Sequence, residues 1–339
     1  MISEESVISE EAKRIHRRSF VIDCHSDILM DVVDGRARLA VEGPREPSQE
    51  GCAGLYSIPQ FRRGGVTVQF CAIWTGIFGL DNRIQRAELA PYFLNRALAM
   101  AVQLHREIEA NPDHLLLVSR AADVDRAKAE GKTGLLLAME GGEPIGFDAR
   151  LVEAFYRLGL RSMGLTWNNR NYLADGLRWV KKAGGLSPLG FEVLDEMERL
   201  GMLVDVAHLH PVGFWEVLEH VKKPILASHV RVDEAYLSDE QCRAIGQNGG
   251  VVAIIFYSMK SIDRILDQME KVIALAGIDH VGCGSDFFGR ANSPARLEDV
   301  GDYPHLTEAM VRRGYREEDI KKILGGNVRR LLQETLTSA

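Results

Sequence analysis

Six residues of the 339-residue chain have types and spacing that could carry metal-assisted chemistry: His25, Asp27, Glu140, His208 and His229 as ligands, with Asp286 beside them. Imidazoles and carboxylates without thiolates suit zinc, with manganese, cobalt or iron as substitutes. The first five suffice for two ions per chain if Glu140 bridges, leaving His25 and Asp27 on one ion and His208 with His229 on the other. A water held between two such ions loses a proton near neutral pH and becomes a nucleophile. Asp286, on a strand otherwise free of ligands, is then placed to shuttle that proton to a leaving amine.

Each residue also has a simpler reading. One histidine at a strand end is more often structural than a ligand, and a strand-end acid can cap the following helix. Six together are harder to explain that way. Isolated buried carboxylates are costly without a counter-charge, which metal ions supply. His25 and Asp27 are two apart, and residues two apart on a strand share a side, so both can face one ion. Asp23 has the same parity but sits deeper, which suits a partner supporting the ligands. His210 reads as a loop residue lining the pocket. Cys24 and Cys283 have the opposite parity and are expected to pack against helices. His16, His105, His114, His220, His280 and His305 are read as structural.

The residues must be positioned by alternating strands and helices. Eight strands are predicted over Phe20–Cys24, Thr67–Trp74, Gly134–Met139, Ser162–Thr166, Leu203–Ala207, Pro224–Ser228, Gly250–Phe256 and His280–Gly284. Helices are predicted over Ile84–Ala110, Gly190–Leu200, Val212–His220, Asp239–Gln247, Ile262–Ala276 and Glu317–Leu336. Phe191, Leu194 and Met197 fall on one face of the second. The alternation favours one (β/α)8 TIM barrel domain over residues 1–339, whose catalytic residues come from strand ends on one face. A doubly wound sheet would need a glycine-rich phosphate loop after the first strand, and Cys-His-Ser-Asp stands there instead. Gly35–Gly54 and Arg290–Gly301 read as loops over that face.

Composition narrows the function. With 46% hydrophobic and 26% charged residues, the chain can bury a sizeable core. A net charge of -7 argues against nucleic acid as a partner. No stretch of about 18 uninterrupted apolar residues exists, so no membrane span is expected. The five scattered cysteines form no CxxC pair and indicate neither a disulfide framework nor a thiolate zinc site. The N-terminus has no apolar signal core, and a cytoplasmic setting is expected.

At Ile-Asp-Cys-His-Ser-Asp (22–27), Glu-Gly-Gly (140–142), Gly-Leu-Ser-Pro-Leu-Gly (185–190), Val-Asp-Val-Ala-His (204–208), Ala-Ser-His (227–229) and Gly-Ser-Asp-Phe (284–287) the chain resembles the membrane (renal) dipeptidases and their bacterial relatives in the amidohydrolase superfamily. Ile-Pro-Gln-Phe-Arg-Arg-Gly-Gly (58–65), Leu-Glu-Asp-Val-Gly-Asp-Tyr-Pro (297–304) and Gly-Gly-Asn (325–327) extend the similarity over nearly the whole chain. The resemblance implies a binuclear zinc site bridged by Glu140, proton transfer by Asp286 and dipeptide substrates, often with a D-residue at the C-terminal position. It also implies a homodimer.

Two departures bear on the substrate. Trp167 stands where the family usually has a histidine that holds the scissile carbonyl, so polarisation falls to metal or to Asn168. The segment after His229 is shorter than in the family, where an arginine grips the substrate carboxylate. Arg231 is a candidate replacement at a different position, and Tyr257 is a further candidate contact. These departures keep open a related hydrolase of N-acyl amino acids, lactams or lactones. A barrel without catalysis, serving only to bind, is the remaining alternative.

Overall fold

Short Val-, Ile- and Leu-rich runs lie side by side in parallel because the helix after each returns the chain to the same end of the sheet. The computed structural model describes residues 7–43, 51–76, 89–178 and 182–336. Among these, nine strands are present: β1 Ile22–Asp23, β2 Val68–Trp74, β3 Leu115–Leu117, β4 Thr133–Glu140, β5 Leu160–Gly164, β6 Leu203–Asp205, β7 Leu226–Val230, β8 Val251–Ile255 and β9 Val281–Gly284. The order runs β2-β1-β9-β8-β7-β6-β5-β4, and β4 pairs back to β2 from Gly134 to Glu140. Eight strands therefore close into the expected (β/α)8 TIM barrel.

β3 was not foreseen. It pairs with Thr133–Leu135, on the edge of β4 that β5 takes over from Leu137, and so stays outside the ring. Three consecutive leucines are too short a run to distinguish strand from helix. Several strand ends also differ from expectation, and β5 stops at Gly164, short of the predicted Thr166. β6 stops at Asp205, short of the predicted Ala207, and β7 continues through His229 to Val230.

Helices over Ala90–Ala110, Pro188–Leu200, Pro211–His220, Asp239–Gln247 and Ile262–Ala276 form close to expectation. Residues 84–88 of the first and 44–50 of the predicted loop Gly35–Gly54 lie outside the described residues. Local chemistry sets the boundaries. Ser187, Ser238 and Ser261 accept from the first-turn N–H groups, and Gly201 ends its helix at a φ of 70°. The predicted C-terminal helix is broken: Glu317–Lys321 and Asn327–Thr335 are separated by a turn at 322–326. There Gly325 lies against β1, where an added Cβ would sit 2.7 Å from the Phe20 carbonyl oxygen. Helices Ile28–Val33, Ile58–Arg63, Ala122–Glu130, Leu151–Arg157 and Tyr303–Arg312 were not anticipated.

The core has two layers. Leu135, Leu137 and Met139 of β4 face outward in one cluster with Ala97, Met100 and Leu104. Leu136 and Ala138 face inward with Val68, Phe70, Leu226, Val251 and the helix residues Val328 and Leu331. Arg330 and Lys223 tie that last helix to Gly249 and to the start of β7, at the N-terminal ends of the strands, so it closes the barrel floor. Cys24 joins the inner cluster, whereas Cys283 joins the outer one with its Sγ 3.7 Å from the Ile323 carbonyl.

The rim is tightly built. At Gly284 an added Cβ would lie 1.7 Å from the Ser228 carbonyl oxygen, a main-chain atom that cannot swing away. Gly284→Ala is therefore expected to lower the unfolding free energy by about 3 kcal/mol, the upper end of ordinary overpacking. A denaturant titration in which the midpoint falls while its slope holds would show it.

Candidate metal centre

β1 ends at Asp23 and a helix begins at Ile28, so His25 and Asp27 occupy the turn between them. Their convergence comes from that turn and not from strand alternation, as the sequence pattern had suggested. Asp27 stands at the N-cap position yet makes no capping bond. Its Oδ1 instead lies 3.7 Å from His25 Nε2. The same nitrogen is 3.7 Å from Glu140 Oε2 and 3.8 Å from Asp286 Oδ1. Glu140, the last residue of β4, brings its other oxygen to two further imidazoles. Oε1 lies 2.9 Å from His208 Nε2 and 3.3 Å from His229 Nε2, and these two nitrogens are 2.8 Å apart. All six residues meet at one rim.

Hydrogen bonds behind the imidazoles decide which nitrogen faces inward. Asn168 Oδ1 accepts from His208 Nδ1 at 3.0 Å, leaving a lone pair on Nε2. Ser228 donates its hydroxyl hydrogen to Asp205, so its Oγ accepts from His229 Nδ1 at 2.8 Å and frees that Nε2 as well. Asp205 also accepts from the Ser228 and Ala207 N–H groups. Asp23 acts in a parallel way, accepting from the N–H and hydroxyl of Ser285 and from the His25 main-chain N–H. It thus supports the main chain near the ligands and not an imidazole. Tyr56 extends this support, with its hydroxyl 3.0 Å from Ser285 Oγ and accepting from the Phe287 N–H.

Strain collects at the same places. His208 and Asp286 have φ values of 62° and 52°, in the left-handed region that non-glycine residues rarely enter. The His208 carbonyl accepts from Leu177 N–H at 2.7 Å and Thr166 Oγ1 at 3.2 Å, which holds the turn.

Charge is not balanced within the protein. Burial opposes ionisation of His25, but Glu140, Asp27 and Asp286 outweigh it and push its pKa up to about 10. Burial and the neighbouring His25 push His229 down to about 3. Glu140 is held well below the usual carboxylate range because three imidazoles overcome its burial. Burial drives Asp286 well upward, and Asp27 rises through burial and the Glu140 charge. His25 Nε2 and Asp27 Oδ1 are buried without a hydrogen-bond partner. Lone pairs on His208 and His229 also converge on a carboxylate oxygen. Cations would satisfy both, and the donor sets fit: His25, Glu140 and His229 form one compact group, and His25, Asp27 and Asp286 another.

A cavity of about 230 Å³ opens over this rim. Trp167, Asn168, Tyr257 and Asp286 line it, whereas Arg231 and His210 are not among its lining residues. Arg231 pairs with Asp233 and lies over the Tyr236 ring, and His210 caps the helix Pro211–His220. Of the other histidines, His16 binds Thr307 and the Gly64 carbonyl, His105 Leu158, His220 Asp195 and His280 Gly250. His114 meets Arg62, while His305 borders a separate surface cavity. Residues not foreseen also line the active-site cavity: Trp74, Arg178, Tyr236, Ile255 and Phe288. Trp74 ends a predicted strand, so the rule that found Glu140 could have found it. Arg178 lies in irregular chain with no periodic signal.

A model of the family described as membrane dipeptidase (peptidase family M19) matches residues 9–339. The chain belongs to this family. As a member of the membrane dipeptidases it is a metal-dependent dipeptidase. Solved relatives agree. A metallopeptidase named dipeptidase AC, of family M19, is 27% identical, with 94% of this chain and 99% of that one covered at a TM-score of 0.82. A metallopeptidase from Rhodobacter sphaeroides, solved with a phosphinate mimic of the dipeptide L-Ala-D-Ala, matches with the same values. An amidohydrolase from Pseudomonas aeruginosa, 24% identical over 96% of this chain and 99% of its own, shares the fold at a TM-score of 0.77. Unlike the name of the family, no helix among the described residues is long and apolar enough to cross a membrane.

Adding zinc to metal-stripped protein is expected to raise its Tm, because ions that bind only the folded state stabilise it by mass action. Glu140→Gln should cut retained metal by at least about half and flatten that rise, since Glu140 places one oxygen near His25 and the other near His208 and His229. Metal analysis after dialysis, with thermal melts, reads both effects.

Proposed function

We propose that this dipeptidase is a binuclear zinc enzyme that hydrolyses the peptide bond of dipeptides, including those with a D-residue at the C-terminal position. The division of Glu140 carries the reading: one oxygen faces His25, the other faces His208 and His229. A carboxylate with its two oxygens in different donor sets is the arrangement that bridges two ions. His25 and Asp27 would hold one ion, His208 and His229 the other. Nitrogen and oxygen donors without sulfur favour zinc. Bound there, the ions would polarise the scissile carbonyl and lower the pKa of water.

The chain's own residues supply the rest. Asn168 and Ser228 keep His208 and His229 in the tautomers that turn Nε2 inward. Asp286 lines the cavity and comes from a different strand than the other acids, so it can take a proton from water and return it to the departing amine. Trp167 meets Trp74 edge-on at 5.3 Å and forms an apolar wall where the family usually has a histidine. Such a wall excludes water and favours substrates with apolar side chains. The D-residue preference draws on the relative solved with an L-Ala-D-Ala mimic.

Two observations favour specific rivals. Asp286 Oδ1 lies 3.8 Å from His25 Nε2 and belongs to a compact donor group, so it could be a ligand instead of a proton carrier. Asp286→Asn should keep about two metals per chain and lose turnover by roughly 10²–10⁴-fold. Loss of one metal would assign Asp286 to ligation. The Trp167 wall also suits N-acyl amino acids, lactams or lactones. A turnover panel of L,L- and L,D-dipeptides beside those compounds tests the substrate class, and faster cleavage of any non-peptide would overturn the dipeptide reading.

A further inference from the structure

Among the described residues lining the active-site cavity, Arg178 brings the only lysine or arginine side chain. The other lining charges are the acids Asp27, Glu140 and Asp286. The loop that carries Arg178 is firmly built. Its N–H donates to the Asn168 carbonyl at 3.0 Å, and the preceding Leu177 N–H donates to His208. Gly176 bridges to Leu209, and a Cβ there would lie 2.3 Å from the Trp167 carbonyl oxygen, so the chain is pressed against the strand-end segment. Asp175 closes the loop by pairing with Arg170 and accepting from the Gly184 N–H. The root of Arg178 is therefore pinned to the two residues that orient one metal-facing imidazole.

The head of Arg178 is free. Its guanidinium makes no ion pair or hydrogen bond among the described residues, and the residue is exposed at the cavity. Its neighbours are already engaged: Arg170 with Asp175, Arg231 with Asp233 and the Tyr236 ring. A planar, always charged fork with five donors suits a carboxylate. We infer that Arg178 holds the free carboxylate of the substrate, and so makes the enzyme discriminate acids from their amides. This rests on the reading of the site as a dipeptidase, whose scissile bond lies over Glu140. It also transfers to Arg178 the role for which Arg231 stood as a candidate replacement.

The test is a binding measurement on zinc-loaded protein with a non-hydrolysable phosphinate dipeptide analogue and its C-terminal carboxamide. Wild type is expected to prefer the free acid by roughly 10–100-fold, the range of a hydrogen-bonded charged pair. Arg178→Gln should erase the preference by weakening the acid while leaving the carboxamide unchanged. Arg178→Lys should restore part of it, and Arg231→Gln should retain all of it. Equal affinity for the two analogues in wild type, no binding of either, or a preference that survives Arg178→Gln would overturn the assignment. Dipeptide turnover is scored separately. Cleavage by wild type with an intact acid preference in Arg178→Gln defeats the role of Arg178 alone. An Arg178-dependent preference in a protein that cleaves no dipeptide defeats the dipeptidase reading alone.

Discussion

Glu140 is a buried carboxylate whose two oxygens must each face positive charge, and the rest of the site is arranged around that need. On one side stand His25, Asp27 and Asp286, on the other His208 and His229, all within 4 Å of Glu140 or of His25. Protein groups alone leave this cluster poorly compensated. Burial and the neighbouring charges then favour protons on His25, Asp27 and Asp286, while they disfavour one on His229. Metal ions bound there would resolve that conflict with less protonation, because each would supply charge to several donors at once.

Such a cluster costs folding free energy, and the barrel around it supplies the stability that offsets the cost. Two aspartates do similar work at separate seams of the ring. Asp23 of β1 secures Ser285 after β9, and Asp205 of β6 secures Ser228 of β7. Each bond crosses from one strand to the end of another, so the candidate ligands on separate strands share one rigid frame. That frame also retains left-handed backbone at His208 and Asp286. Positions held so firmly lose little freedom when ions and substrate arrive, which favours preorganised catalysis.

The cavity wall has two unlike sides. The Trp74–Trp167 edge-to-face pair gives an apolar side, and the exposed Arg178 gives a cationic one. Metal-facing chemistry and substrate selection are thus carried by different parts of the chain. The first comes from strand ends, the second from the irregular segment between β5 and the helix Pro188–Leu200. Asn168 joins them, since it bonds both His208 and, through its carbonyl, the Arg178 main chain.

What was legible in the sequence was local. Alternating apolar runs and helical faces implied a parallel barrel, because periodicity of two or 3.6 reports burial directly. The apolar face of Phe191, Leu194 and Met197 marked one of the main helices, and the donor types at strand ends implied metal. Tertiary structure decided the rest. Three leucines became β3 only because the open edge of β4 accepted them. Asp27 reached His25 through a turn and not through strand parity, and Asp23 turned to the main chain of Ser285. Arg178 instead of Arg231 came to the cavity because Asp233 and the Tyr236 ring hold Arg231, while Asn168 and His208 pin the loop of Arg178. Contacts between residues far apart in the chain leave no periodic trace, so they become readable only when the barrel closes.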